Sequence, residues 1–361
     1  MNRVYIAIMK IGILGAGLTG ILTAYYLKQR GISSVVIEAR RRPGGRIFTL
    51  REKGIQVEMG ATWFGPQHSN LAELLQELAI DSFPQYQDGK AVFEASSMSP
   101  VQVFDLPEGQ QSFYRIKGGT DELIRKLMAR LDDSQVVMNN PVKEIWLADS
   151  GITIKSEKET YDPMDLVIST LPPSLLVNSI TFNPKLDPSF VQFSNETHTW
   201  MGNSIKFAVS YPSPFWRENG FAGVGFSNAS IASEIHDHVN FENNAFALKG
   251  FLSPSAVKLD YAYREKLVIN QLKRFYGKTA TNYIAYHETL WAEEQYTMGG
   301  LSNDLVPHQN AGNPQFQQAV LNGKLIISGS ETSPVFGGYM EGAVYAAKIT
   351  ASQVFERLKI K

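Results

Sequence analysis

Gly15, Gly17 and Gly20 stand in the spacing G-x-G-x-x-G, and a carboxylate, Glu38, follows eighteen residues after the last of them. The first glycine permits a tight turn, the second lets a pyrophosphate approach the backbone, and the third lets a helix pack closely on a strand. Phosphates would sit at the positive end of that helix, while Glu38 would accept hydrogen bonds from an adenosine ribose and repel a 2′-phosphate. The pattern points to a dinucleotide of the FAD or NAD kind rather than NADP.

Arg40-Arg41-Arg42-Pro43-Gly44-Gly45-Arg46 follows directly. Gly44 and Gly45 let the chain run close to a large anionic ligand that guanidinium groups neutralise, with Arg41 and Arg42 better read as a solvated basic turn. Near the other end, Gly329-Ser330-Glu331 closes a strand, and Gly337-Gly338-Tyr339-Met340-Glu341-Gly342-Ala343 opens a helix. Free N–H groups at such a start would stabilise negative charge on a reduced isoalloxazine. The chain has no cysteine, which excludes disulfides, iron–sulfur clusters, cysteine zinc sites, thiol nucleophiles and a thioether-tethered cofactor. Redox chemistry here needs a bound organic cofactor. His236-Asp237-His238 offers two imidazoles but no third ligand, so a polar loop outweighs a metal site, and no metal is expected. His68, His198, His287 and His308 have no recognisable catalytic partner.

The elements that must position these groups are legible as periodic runs. Ile11 to Leu14 reads as a strand, Ile21 to Lys28 as a helix closed by Gly31, and Ser34 to Ile37 as the next strand, a βαβ unit with glycines at its first turn. A helix from about Ser69, with Ser69 as N-cap, carries Leu71, Leu74, Leu75 and Leu78 on one face. Residues 81–112 have no sustained period and read as a loop-rich excursion. A helix capped by Thr120 follows, then strands at Val136 to Met138, Val142 to Leu147, Ile152 to Ile154 and Leu166 to Ser169, ended by Pro172-Pro173. A last strand, Leu325 to Ser328, leads to a helix from about Tyr339 to Leu358. Nucleotide-type pieces thus lie at the start, middle and end, an α/β (α+β overall) architecture with a discontinuous Rossmann-like domain and an inserted mixed-sheet domain.

The 361 residues are 43% hydrophobic, with 20 Phe, 15 Tyr and 5 Trp, enough for a large core and two domains. Thirty-four Lys and Arg against 35 Asp and Glu leave a net charge of −1, so no global field draws nucleic acid or anionic lipid. The apolar run Val4 to Met9 is too short for a signal segment or a span, and no later segment reaches about 18 uninterrupted apolar residues. A soluble, cytoplasmic protein is expected. Met9 would serve as a second start, making residues 1–8 a dispensable extension.

Taken together, these residues resemble the flavin-containing amine oxidase family, the group of monoamine oxidase and polyamine oxidase. The resemblance runs through the glycine turn, RRPGGR, Gly60-Ala61-Thr62-Trp63-Phe64-Gly65-Pro66, Gly118-Gly119-Thr120, Pro141-Val142 and Leu171-Pro172-Pro173. It continues through Gly202-Asn203-Ser204-Ile205-Lys206 with Pro214-Phe215-Trp216-Arg217, Trp291 to Tyr296, and GGYMEGAVYAA. It implies FAD, bound non-covalently, oxidation of a carbon–nitrogen bond of a small amine, and reoxidation by O2 to peroxide. The FAD-binding domain would comprise residues 1–80, 112–180 and 296–361, and the substrate domain residues 81–111 and 181–295.

Residue by residue, the resemblance makes Gly15, Gly17 and Gly20 pyrophosphate contacts and Glu38 the ribose acid. Arg40 and Arg46 would lie near the phosphates and flavin, with Gly45 beside them. Val142 would meet the adenine, and Glu331, after Gly329, the pyrophosphate or ribityl chain. Gly60, Ala61, Trp291, Tyr296, Tyr339 and Met340 would surround the isoalloxazine, with Lys206, Tyr339 and Trp291 at the reacting centre. Lys206 matches the lysine that in the family holds a water against flavin N5 and assists the reaction with O2. Its strand places Ile205, Phe207 and Val209 on one face and Lys206 on the other, where an isolated lysine would face solvent.

The chain also departs from the family pattern. Leu301 stands where monoamine oxidases attach flavin through cysteine, and Ser302 where they carry an aromatic wall. The stretch from Gly65 to Tyr114 is shorter than usual, and the membrane helix is absent. An amino-acid substrate would need a cation for its carboxylate, from Arg115, Arg217, Arg264 or Arg274. Two alternatives remain: a flavin-dependent desaturase of a polyene or porphyrinogen, and a catalytically silent FAD-binding module.

Overall fold

The structure, a computed structural model, describes residues 9–52, 54–107, 113–301 and 304–359; residues 1–8 and Ser302, on which two of the expectations above fall, lie outside them. Five parallel strands form the first sheet in the order Leu325–Ile327, Leu166–Ser169, Ile11–Leu14, Ser34–Ile37 and Val136–Val137. These strands are short apolar runs, as parallel strands covered on both faces are. On one face the helices Leu18–Gln29 and Met340–Arg357 pack together through Leu18, Ile21, Leu22, Val344 and Ala347, and Thr19 Oγ1 donates to the carbonyl of Ala343 at 3.1 Å. On the other lies a four-stranded sheet, Thr160–Met164, Gly151–Ser156, Val142–Ala148 and Thr181–Asn183, whose Ile145, Ile152 and Ile154 meet Leu14, Val167 and Ile327. The approach is close enough that a Cβ on Gly12 would lie 2.7 Å from Ile154 Cδ1.

Several local expectations change in the folded chain. The helix after the glycine turn begins at Leu18 rather than Ile21. The helix Ser69–Glu77 is not capped by Ser69. Its first turn is held instead by the Glu341 carboxylate, which accepts from Asn70 N at 3.1 Å and Leu71 N at 2.8 Å. Thr120 is at the N-cap of Asp121–Met128 but makes no side-chain cap, and its N–H goes to Glu58 at 3.1 Å. Pro172-Pro173, read as a terminator, opens the helix Pro173–Ser179, because proline's missing N–H is harmless in a first turn.

A seven-stranded sheet runs Ala285–Leu290, Ile205–Tyr211, Phe246–Leu252, Ala232–Asp237, Phe221–Ser227, Lys90–Glu94 and Gln102–Asp105. The stretch taken as loop-rich therefore supplies two strands of this sheet and a third, Ser82–Pro84, outside it; its residues 108–112 lie outside the described ones. Gln102–Asp105 is exposed throughout, so no buried alternation marked it in the sequence. Two short strands from the expected substrate segments pair elsewhere: Ser82–Pro84 with Tyr114–Ile116, and Thr181–Asn183 with Glu144–Trp146.

The two faces of the seven-stranded sheet differ, and the difference positions the site. Phe207, Val209, Ile235 and Leu248 pack against Val268, Leu272 and Phe275 of the helix Tyr261–Tyr276. That helix starts on the Asp260 carboxylate, which accepts from Tyr263 N at 2.8 Å, and stops at Gly277 in the left-handed region (φ 89°). On the opposite face Ala208 and Ala247 meet Val57 and Met59 at the end of the hairpin Thr49–Glu52/Ile55–Glu58. The chain leaving that hairpin, Met59 to Trp63, lies against this face, where Lys206 donates to Gly60 O and Trp63 meets the Phe251 ring.

Candidate active site

A long cleft opens at the carboxyl ends of the parallel strands, where open α/β sheets bind ligands. Gly15, Gly17, Glu38, Arg40, Gly45, Arg46, Ala61, Val142, Tyr296, Tyr339 and Met340 line it. Gly20, Gly60, Lys206, Trp291, Gly329 and Glu331 lie behind its walls rather than on them. A Cβ on Gly17 would meet nothing within 4 Å, and one on Gly45 only Gly17 Cα at 3.4 Å, so backbone faces open space there. Gly20 differs, since its Cβ would fall 2.0 Å from the carbonyl oxygen of Gly15; it lets the helix sit on the turn. The helix Leu18–Gln29 has neither a side-chain cap nor an acid in its first turn, leaving N–H groups for an anion. Glu38 is buried and locked, accepting from Ala16 N at 2.6 Å and Arg40 N at 2.8 Å. This donor set fits a dinucleotide.

The arginines are more engaged than the sequence suggested. Arg40 donates to Glu294 at 3.0 Å, to the Tyr296 carbonyl at 3.2 Å and to Thr297 Oγ1 at 2.7 Å, tying the segment after Trp291 to the cofactor turn. Arg46 closes on Glu331 with two bonds of 2.5 and 2.8 Å and also donates to Ser330 Oγ and the Trp200 carbonyl. Burial would raise the Glu331 carboxyl, but the Arg46 guanidinium outweighs it and holds the acid below the usual carboxylate range. Glu331 thus neutralises Arg46. Arg42, read as solvated, is half-buried over the Phe48 ring at 4.4 Å and donates to the Pro43 and Ile47 carbonyls.

Beneath Ala61 three consecutive carbonyls are held by side chains from the seven-stranded sheet and the segment that follows it. Lys249 Nζ donates to Glu58 O at 2.8 Å, Trp291 Nε1 to Met59 O at 2.9 Å, and Lys206 Nζ to Gly60 O. Lys206 is on the face opposite Phe207, as the alternation requires, but that face is covered by residues 58–63 and leaves it 5% exposed. Burial pushes its ammonium down to about 8, against the pull of Glu58 and Glu234. Its Nζ lies 4.9 Å from the centroid of Phe251 and 5.8 Å from that of Trp63. Lys249 escaped the sequence reading, although a lone charge in the apolar strand FALKGFL was a usable signal, and Trp63 was read only as part of the Gly60-to-Pro66 motif.

Tyr339 stands at the N-cap of the last helix, its ring parallel to His308 (centroids 5.6 Å, 15°), which in turn stacks on Trp200 (4.0 Å, 23°). His308 was read as having no catalytic partner, and Trp200 went unread, because neither has a local pattern that announces the stack. His236-Asp237-His238 is no polar loop. It ends the strand Ala232–Asp237, with Asp237 buried under Trp216 Nε1 and Arg217 at 2.7 Å each, His236 on Glu234, and His238 against Glu58. Burial and Arg115 push the His238 imidazole down to about 3. Among the described residues no cluster has metal-binding form, and no helix is long and apolar enough to cross a membrane.

Residues 18–99 and 89–355 match the sequence profile of the family described as flavin containing amine oxidoreductase. The chain belongs to that family: it is a flavoprotein oxidoreductase that acts on CH–NH2 or CH–NH groups with FAD. It is 22% identical to the "Probable flavin-containing monoamine oxidase A" of Dictyostelium discoideum, over 96% of this chain and 97% of that one. It is 23% identical to the putrescine oxidase of Kocuria rosea, over 80% and 83% of the two chains. In fold it resembles a wild-type putrescine oxidase solved with putrescine bound, with a TM-score of 0.84 over 97% of this chain and 99% of that one at 23% identity.

Proposed function

We propose that this protein oxidises a small primary or secondary amine that carries no carboxylate, with O2 as the electron acceptor. The observation that carries the reading is the buried Lys206 amine on the Gly60 carbonyl, directly behind Ala61 of the cleft. FAD, held without a covalent bond, would accept a hydride from the amine's α-carbon and pass the electrons to O2, giving peroxide and an imine that water hydrolyses. The glycine turn and Glu38 would hold its adenosine and phosphates, and Ala61, Tyr296, Tyr339 and Met340 would enclose the ring system, with Gly60 and Trp291 backing that wall. Lys206 would hold a water at that ring and offer positive charge to reduced oxygen. Tyr339, whose hydroxyl burial keeps protonated, would present its face to the amine nitrogen. For the domains we retain the sequence division, a FAD-binding unit interrupted by a substrate unit centred on the seven-stranded sheet.

The arginines argue against an amino acid. Arg217 is bidentate on Asp237, Arg264 on Glu288, Arg274 binds Glu94, and Arg115 donates to the Val239 carbonyl. A substrate carboxylate would have to displace an existing partner.

The experiment is anaerobic. Monoamines, diamines and amino acids are added separately to purified protein while the oxidised flavin band is followed, and air is then admitted. Bleaching by an amine, with peroxide on reoxidation, is expected. Bleaching by amino acids alone would overturn the carboxylate argument, and a flavin that no amino compound bleaches would return the desaturase or silent reading.

A further inference from the structure

Lys249 has no part in the reading above, yet it lies beside Lys206 in the same dry layer. In the antiparallel pairing Lys206 stands opposite Phe251 and Ala208 opposite Lys249, so both amines leave one face of the sheet on a diagonal. Lys249 is fully buried and donates to Glu58 O at 2.8 Å and to Thr62 Oγ1 at 2.5 Å. Thr62 Oγ1 donates in turn to Gly60 O, the acceptor of Lys206, at 3.2 Å. Trp63 presents its ring to both, 5.8 Å from Lys206 and 4.7 Å from Lys249.

The charges facing the pair can be enumerated. On the hairpin side is Glu58, with His238 against it and Arg115 behind. On the neighbouring strand is Glu234, with His236 against it, whereas Asp237, which Arg217 closes, leaves the opposite face beside Leu248. The two carboxylates on this face, Glu58 and Glu234, against the single guanidinium of Arg115 leave one negative charge. One ammonium cancels that charge; two would leave the buried layer positive. The two acceptors of Lys249 are matched by the two N–H groups of a neutral amine.

We propose that Lys206 and Lys249 form a pair carrying one positive charge beside the Gly60 carbonyl, with Lys249 the reserve site that takes the charge when Lys206 cannot. Lys249 is thus a positioning residue that acts through Lys206 and the Glu58–Thr62 segment. The inference rests on the placement of Lys206 at the flavin.

The test uses the FAD-loaded enzyme and sulfite, an anion that adds at flavin N5 and is held more tightly when positive charge is near. It needs no amine, so its failure is distinct from a failure of amine oxidation. Sulfite affinity at pH 7.5 is compared for the parent, Lys206→Met, Lys249→Gln and the double variant, with Tm and FAD content as folding checks. Lys249→Gln keeps N–H donors for Glu58 O and Thr62 Oγ1, and Lys249→Met repeats the comparison without them. Losing Lys249 is expected to weaken sulfite binding less than about threefold in the parent but about tenfold or more in the Lys206→Met background. A second readout is the flavin absorption titrated from about pH 6 to 10, a window that brackets the amine. A step should survive in Lys206→Met and vanish only in the double variant. Equal effects of losing Lys249 in both backgrounds, or loss of the step in Lys206→Met alone, would overturn the proposal.

Discussion

The guanidinium of Arg46 grips both carboxylate oxygens of Glu331, at 2.5 and 2.8 Å, and so joins the arginine-glycine turn to the short helix that follows the last strand of the parallel sheet. Glu331 is fully covered while Arg46 borders the cleft, so the pair both closes the sheet and sets the charge of the cleft wall.

Glu331→Ala should therefore lower stability by about 3 kcal/mol, because it strands a partly buried cation. Thermal denaturation of FAD-free protein reads this directly. The Glu331 carboxyl is depressed in the folded state, so its stabilisation is present above the unfolded value of about 4.3 and is lost as pH falls below it. The parent should lose Tm on acidification below about pH 5, and the variant should lose less.

Gly17 and Gly20 should respond differently to alanine. Gly17→Ala has room and an ordinary φ of −71°, so Tm of the FAD-free protein should hold while FAD affinity falls by about tenfold as the methyl enters the cleft. Gly20→Ala would drive its methyl to 2.0 Å from the Gly15 carbonyl oxygen, and Tm itself should fall. Equal Tm for the two variants would contradict the distinct environments of the two glycines.

Lys206→Met should slow flavin reoxidation by O2 by about 10²-fold while leaving anaerobic reduction by amine within a few-fold. Stopped-flow absorbance separates the two half-reactions. The ammonium is the acid form and is held at about 8, so the parent's reoxidation rate should fall as pH rises through 8, a limb that should vanish when Lys206 and Lys249 are both replaced.

Gly338→Ala should disturb the amine side of the site. Gly338 has φ 87°, and its Cβ would stand 2.3 Å from Trp200 Cβ, so the Trp200–His308–Tyr339 stack must move. A rise in KM of about tenfold with little change in FAD affinity is expected, and steady-state kinetics beside flavin titration would measure both.

Local signals account for what the sequence disclosed. The glycine spacing, Glu38 and the apolar runs from Ile11 to Ile37 are all set within one βαβ unit, and they predict the parallel sheet and most of the cleft wall. What stayed hidden depends on distant partners. Lys206 is dry because residues 58–63 cover it, a contact no strand alternation encodes. Ser69 yields its cap to Glu341, 272 positions later in the chain. The engagement of Arg40 and Arg46 likewise depends on Glu294 and Glu331. Sequence gave the residue types; the neighbours that define their electrostatics came only with the fold.

The strand order of the parallel sheet has a consequence for biosynthesis. The ribosome delivers Ile11–Leu14, the glycine turn and Glu38 long before their sheet partner in the same layer, Leu325–Ile327, and before the helix Met340–Arg357 that covers Leu18–Gln29. Until Leu325–Ile327 and Met340–Arg357 emerge, the nucleotide cradle lacks a wall and its apolar helix lacks a cover. Cofactor loading then waits for residues 325–357, and a ribosome that stops before them leaves an exposed greasy surface for chaperones and proteases rather than a partial flavoprotein.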